Sequence, residues 1–104
     1  MIRQFDVVPN PLRTGRADRP YLVSIQHKFL DAAGSRLLAP LSTGRAFHHW
    51  PRLNPQLLVL GKPLFLVPTD LISLSLKHLR DPVANLEADR DRIVAALDLV
   101  FTGV

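Results

Sequence analysis

Two hydrophobic rhythms, in a fixed order, constrain this chain more than any other feature. Through Ile72–Lys77 the residues alternate strictly, with Ile72, Leu74 and Leu76 apolar and Ser73, Ser75 and Lys77 polar. Successive side chains of an extended chain point to opposite faces, so the pattern predicts a strand with one buried face. Further on the rhythm changes. Ile93, Val94, Leu97, Val100 and Phe101 fall at i, i+1, i+4, i+7 and i+8, one stripe of an α-helix. Its start is expected near Glu87, where Glu87, Asp89 and Asp91 suit the positive end of the helix dipole. Strands first and a helix last give a mainly β class with a C-terminal α-helix: a small antiparallel barrel or sandwich with the helix appended.

The remaining segments fit that plan. Gln4–Val8 reads as a strand with Phe5 and Val7 on one face, closed by Pro9-Asn10-Pro11. Arg13–Pro20 is polar and reads as a loop. In Tyr21–Gln26, Tyr21, Val23 and Ile25 point inward and Ser24 and Gln26 outward. After a turn at Asp31–Gly34, Arg36–Leu41 forms a strand whose end Pro40 places at an edge or bulge. A long connection, Ser42–Pro55, leads to Gln56–Leu60 and Leu64–Val67, flanking Gly61-Lys62-Pro63 as a hairpin loop. Asp81-Pro82 is expected to open a preliminary helical turn. No repeat or second domain is visible, so residues 1–104 read as a single domain.

Composition narrows the function classes. A chain of 104 residues, 47% of them hydrophobic, can hold a core without staples. The absence of cysteine excludes disulfides, thiol catalysis and cysteine-based zinc sites. Neither a signal-peptide h-region nor a run long enough to span a membrane is readable, so a cytoplasmic protein without membrane contact is expected. Residues 1–60 carry eight Arg/Lys against three acids, and the rest five against six, which suggests an anionic partner near the first part. His27, His48, His49 and His78 show no metal-ligand spacing. Ser24, Asp31 and a histidine form a triad only on paper, without a nucleophile elbow. No catalytic residue, metal or cofactor is expected.

Binding groups are easier to name. Arg13, Arg16 and Arg19 recur along the first loop, where a basic arm can meet phosphate or carboxylate. Arg45–Arg52 mixes cations with Phe47 and Trp50, a composition that suits interface anchors. The helix does not taper: Asp98-Leu99-Val100-Phe101-Thr102-Gly103-Val104 stays apolar to its last residue. Such a segment must pack on its own core, on a second copy or on a target protein.

Over nearly its full length the chain resembles the CcdB family, the DNA gyrase poisons of type II toxin–antitoxin operons. The likeness runs through Gln4-Phe5-Asp6-Val7, Tyr21–Gln26 and Asp31–Leu41, then Pro55–Gly61. It is strongest from Thr69-Asp70-Leu71 to Val104, including Ala84-Asn85-Leu86 and the Phe-x-Gly-aliphatic ending; Ser42–Asn54 matches poorly. The resemblance implies an SH3-like small barrel with a small accessory sheet and terminal helix, assembled as a homodimer. It implies no catalysis: the toxin enters the gap between gyrase A subunits and traps cleaved DNA. A cognate CcdA-like antitoxin displaces it, and operator DNA is bound only by the toxin–antitoxin complex, which represses its own operon.

Carried over position by position, Phe29 and Leu30 match an aliphatic pair after the second strand. Asp98 matches a polar amide position, Phe101 a phenylalanine, and Gly103 and Val104 the closing glycine and aliphatic residue. Between them lies a departure. Gyrase-poisoning members have tryptophan where this chain has Thr102, and threonine cannot stack on a target arginine. The antitoxin is expected on Arg13, Arg16, Arg19 and Trp50. Two alternatives stay open: a non-toxic, antitoxin-binding regulatory relative, and an mRNA-cleaving toxin of the MazF-like kind, which shares the barrel architecture but whose active-site residues have no match here.

Overall fold

The computed structural model describes residues 1–45 and 50–104. Among the described residues seven strands precede one α-helix: β1 (Asp6–Pro9), β2 (Tyr21–Ser24), β3 (Ser35–Ser42), β4 (Gln56–Val59), β5 (Lys62–Leu66), β6 (Ile72–Ser75), β7 (Ala84–Asn85) and α1 (Arg90–Thr102). All pairings are antiparallel, and neighbours run β4-β5-β3-β2-β1-β7 with β6 also on β3. The sheet curls into a nearly closed barrel with α1 appended, as the order of rhythms predicts. No helix of the described residues is long and apolar enough to cross a membrane.

β3 organises this topology, and Pro40 shows how. On one edge Leu38–Leu41 pair with β2; on the other, Ser35–Leu38 pair with β6 and Leu41–Ser42 with β5. Pro40 does not end the strand, contrary to the sequence-based expectation. Its carbonyl accepts the Val67 N–H at 2.9 Å, so its missing N–H faces the same side, in the gap between β6 and β5. A proline is tolerated where no ladder donor is required. The accessory sheet is therefore the β3–β6 pairing, continuous with the barrel through β3.

The core has two layers. Phe5, Val7, Val23, Ala39, Leu41, Leu57, Val59, Leu66, Ile93 and Ala96 fill the barrel side. Ile2, Val8, Leu22 and Leu38 form a second cluster, with Ile72, Leu74, Leu76 and Leu79 packed against it. Fully burying a leucine contributes about 2 kcal/mol, so Leu22 and Leu38 make this outer layer more than a decoration. It also explains why Ser24, expected outside, is fully buried: it shares the β2 face that carries Leu22.

Other boundaries move for local reasons. The first strand begins at Asp6 because Phe5 is left-handed (φ 68°), a conformation that costs an ordinary residue about 1–2 kcal/mol. Its N–H donates to the Ser24 carbonyl at 2.6 Å, its carbonyl accepts the Leu86 N–H at 2.8 Å, and its ring is buried. The hairpin loop is Leu60-Gly61 rather than Gly61-Lys62-Pro63: both residues have positive φ (52° and 81°), the type I′ pattern that fits strand twist. Asp81-Pro82 opens no helical turn. Val83 and Leu86 donate to the Val7 and Phe5 carbonyls at 2.8 Å, which holds this stretch extended along β1 as β7. The strand of Ile72 stops at Ser75, and Leu76–His78 turn into a 3₁₀ helix. Another 3₁₀ turn, Glu87–Asp89, leads into α1, which begins at Arg90.

Gly44 marks a close approach. A Cβ there would lie 2.7 Å from the Phe65 ring, and its φ of 89° disfavours any side chain. Gly44→Ala should therefore cost about 1–3 kcal/mol, read as a lower urea midpoint with unchanged slope. A stability equal to that of the natural chain would show that the Phe65 ring can move aside.

Candidate functional site

The apolar stripe of α1 leaves the core before it ends. Ile93 and Ala96 are fully buried, and Val94 and Leu97 pack against the barrel. One turn later Val100 is 36% exposed, Phe101 68% and Val104 81%. The protein's own core is thus not where Phe101 and Val104 pack. The end is nevertheless fixed in shape. Gly103 is left-handed (φ 79°), and its N–H donates to the Asp98 and Leu99 carbonyls at 3.2 Å. The Thr102 hydroxyl donates to the Asp98 carbonyl at 2.8 Å. Asp98, Phe101, Thr102 and Val104 are all exposed beside this capped turn.

A second apolar pair stands out on the 3₁₀ turn Lys28–Leu30. Phe29 is 82% exposed and Leu30 56%. Three polar side chains shape the turn. His27 caps it, its Nδ1 accepting the Phe29 N–H at 3.1 Å, and the two rings lie 4.5 Å apart. Gln26 Nε2 donates to the Leu30 and Ser35 carbonyls, and its Oε1 accepts the Leu37 N–H. Arg36, fully buried, reaches the carbonyls of Ile2, Asp31, Ala33 and Ser35 at 2.9–3.1 Å. Sequence reasoning missed Gln26, His27 and Arg36 as supports. The available signal was Arg36 itself, a charge at the head of an otherwise apolar strand beside a glycine turn. Within one chain no hydrogen bond or ring contact joins this turn to the end of α1 among the described residues.

The arginine loop divides. Arg19 Nη2 meets the Asp70 carboxylate at 2.7 Å and lines a hollow with Trp50, Leu53, Asn54 and Val67. Trp50 is 64% exposed, and its backbone N–H donates to the Oδ1 of buried Asn54, whose Nδ2 in turn donates to the Leu66 carbonyl. Arg19 and Trp50, distant in sequence, thus come together. Arg16 instead donates to the Pro11 carbonyl at 2.9 Å and lines a different groove. Arg13 is exposed on the same loop. Phe47, His48 and His49 lie outside the described residues.

Among the described residues the paper triad does not assemble. Ser24 is buried within β2, Asp31 lies 4.0 Å from the Arg36 guanidinium, and His27 serves its own turn. Among the described residues no three of His, Asp and Glu gather as a metal site. What the surface offers is contact chemistry: two exposed apolar presentations and a basic loop beside a tryptophan.

Comparison with known proteins fits this inventory. No curated protein matches the chain at a significant level. The model of one family, described as CcdB protein, matches residues 4–103, nearly the whole chain, including the Phe29–Leu30 turn and the capped helix up to Gly103. The chain belongs to the CcdB family.

Proposed function

We propose that this protein is the toxin of a type II toxin–antitoxin pair and acts by binding the A subunit of DNA gyrase, without catalysing a reaction itself. The observation that carries this reading is the coincidence of the family match with an apolar helix end that is exposed, capped and unpartnered by its own core. Phe101, Gly103 and Val104, with Asp98 and Thr102 beside them, form one docking element; Phe29 and Leu30 form the other. A rigid presented surface loses little conformational entropy on binding, which suits an inhibitor that works by contact alone. The test is induced expression followed by two assays on purified protein, one for gyrase-dependent accumulation of cleaved DNA and one for RNA cleavage. Cleaved DNA supports the reading, and cleaved RNA without it overturns it.

The toxin acts as a homodimer in this proposal, with Val100 and the partly buried Leu99 contributing apolar area next to the docking element. Phe101→Asp should leave the melting temperature of the fold within about 4 °C, because the ring lies outside the core. It should abolish gyrase binding. A monomeric mass near 11.6 kDa by light scattering of the natural chain at micromolar concentration would remove the dimer from the proposal.

A cognate CcdA-like antitoxin is proposed to cross the hollow of Arg19 and Trp50 and continue along Arg13 and Arg16; with it, the toxin represses the operon at operator DNA. An acidic, disordered antitoxin segment would gain charge-assisted contacts there, and its affinity would fall with salt. Reversing Arg13, Arg16 and Arg19 to glutamate should weaken the antitoxin at least about tenfold at low ionic strength. Unchanged affinity, by calorimetry, would mark the loop as merely solvated. A second reading, the non-toxic relative, follows from the resemblance, which implies tryptophan in gyrase-poisoning members where this chain has Thr102.

A further inference from the structure

The three side chains that shape the Phe29–Leu30 turn differ in one respect. Gln26 never carries a charge, Arg36 always does, and the imidazole of His27 changes with pH. His27 stands at the N-cap with extended backbone (φ −60°, ψ 148°), and its Nδ1 accepts the Phe29 N–H at 3.1 Å. An imidazole nitrogen accepts only while it carries no proton, so this bond requires the neutral ring with its proton on Nε2. A second proton turns Nδ1 into a donor that faces another donor.

We propose that His27 is a positioning residue whose protonation loosens the Phe29–Leu30 turn, so that target binding through this pair weakens as the pH falls. The proposal rests on the reading of Phe29 and Leu30 as a docking element. The sign follows from the acceptor role: the neutral ring makes the cap, so the cap is present at the upper end of the imidazole range and lost at its lower end, between about pH 8 and pH 5.

The other bonds of the turn show how much is lost. The Leu30 N–H donates to the His27 carbonyl at 2.9 Å and the Asp31 N–H to the Lys28 carbonyl at 3.1 Å, backbone pairs that no proton alters. The turn therefore persists, and the loss falls on Phe29, whose N–H depends on the ring. The two rings lie 4.5 Å apart at 56°, so the imidazole that caps the amide also braces the Phe29 side chain, which at 82% exposure gains little from the core. A charged imidazole still attracts the phenyl face, but only with Nδ1 turned from the amide, and the braced pose is lost with the cap.

The charged groups around the ring do not compete for it. Lys28 and Asp31 lie on the same turn with opposite signs, and Arg36 holds the Asp31 carbonyl from β3. Arg3 and the Met1 amino group flank Ile2, whose carbonyl Arg36 also holds; Lys77 and His78 follow Leu76, whose N–H donates to the Gly34 carbonyl at 2.9 Å. Among the described residues none of these makes a hydrogen bond or ion pair with the His27 ring.

The test joins an NMR titration of the full chain to calorimetry with purified gyrase A subunit. From about pH 8 to about pH 5, the Phe29 amide resonance should move with one inflection, coincident with that of the His27 ring. Affinity for gyrase A should fall about three- to tenfold over the same range. His27→Ala should bind weakly at both ends. His27→Ser, whose hydroxyl caps without titrating, should recover the affinity that alanine loses and flatten the pH profile. His78→Gln should keep the natural profile, and circular dichroism checks that each variant is folded. The proposal is overturned if the Phe29 amide does not follow the His27 ring, if His27→Ser keeps the natural pH dependence, or if His27→Ala matches the natural chain at high pH. If gyrase A binds no variant at any pH, the gyrase reading fails, and the coincidence of the two NMR inflections alone decides whether His27 controls the turn.

Discussion

Arg36→Ala is expected to destabilise the protein by about 3–5 kcal/mol, the largest effect of any single substitution considered. The guanidinium is fully buried, and the carboxylate paired with it among the described residues, Asp31, stands 4.0 Å away. Its charge is stabilised instead by four backbone carbonyls, those of Ile2, Asp31, Ala33 and Ser35. Alanine would leave these acceptors without donors and open a void beside the outer core layer. Water can reach the carbonyls nearest the exposed turn, so the loss should fall below the sum of separate penalties. A fall of at least about 12 °C in melting temperature is expected. Lysine should not rescue it, because one ammonium cannot replace the planar fork that spans four acceptors. Methionine, which keeps the volume but donates nothing, should fall between alanine and the natural chain. A loss below about 1 kcal/mol for alanine would mean that the turn holds its shape without the fork.

The effect extends beyond stability. Arg36 ties Ile2 to the Asp31–Ser35 turn, while Gln26 holds the Leu30 and Ser35 carbonyls from the other side. Phe29 and Leu30 are presented from this frame. Gln26→Ala is a milder perturbation of the same turn and should weaken target binding through the loss of preorganisation, with little change in the core.

These supports also mark the limit of what was legible in the sequence. Periodicity revealed β6 and α1 because each buries a repeating face: Leu74 and Ile93 obey their rhythm. It misread Pro40 because the rule against proline in a central strand concerns a missing donor, and only the topology reveals that β6 and β5 leave a gap there. It misread Ser24 because a second layer covers the outer face of β2, a fact of tertiary packing. The residues proposed to dock, Phe29, Leu30 and Phe101, were named through family resemblance, whereas the meeting of Arg19 with Trp50 required the fold. Local rhythm specifies elements; long-range juxtaposition has no local signature.

The position that tests the proposed function most severely is Thr102. If the capped end of α1 docks on gyrase, Thr102→Trp should add the missing aromatic anchor. An anchor of this size commonly contributes about 2–4 kcal/mol at an interface, or roughly 30- to 1,000-fold in affinity. The fold should tolerate the change. Thr102 is exposed, and its one side-chain hydrogen bond, to the Asp98 carbonyl at 2.8 Å, is worth about 1 kcal/mol. Tryptophan and threonine differ little in helix propensity, and the Gly103 cap does not depend on either side chain. The natural chain is therefore expected to trap cleaved DNA weakly and Thr102→Trp to trap it strongly, measured as linear DNA in a gyrase cleavage assay. Deleting residues 102–104 should abolish that activity while leaving antitoxin binding largely intact, because the arginine loop and Trp50 belong to other elements. Should Thr102→Trp stay inactive on gyrase while the natural chain arrests growth, the exposed helix end serves another target.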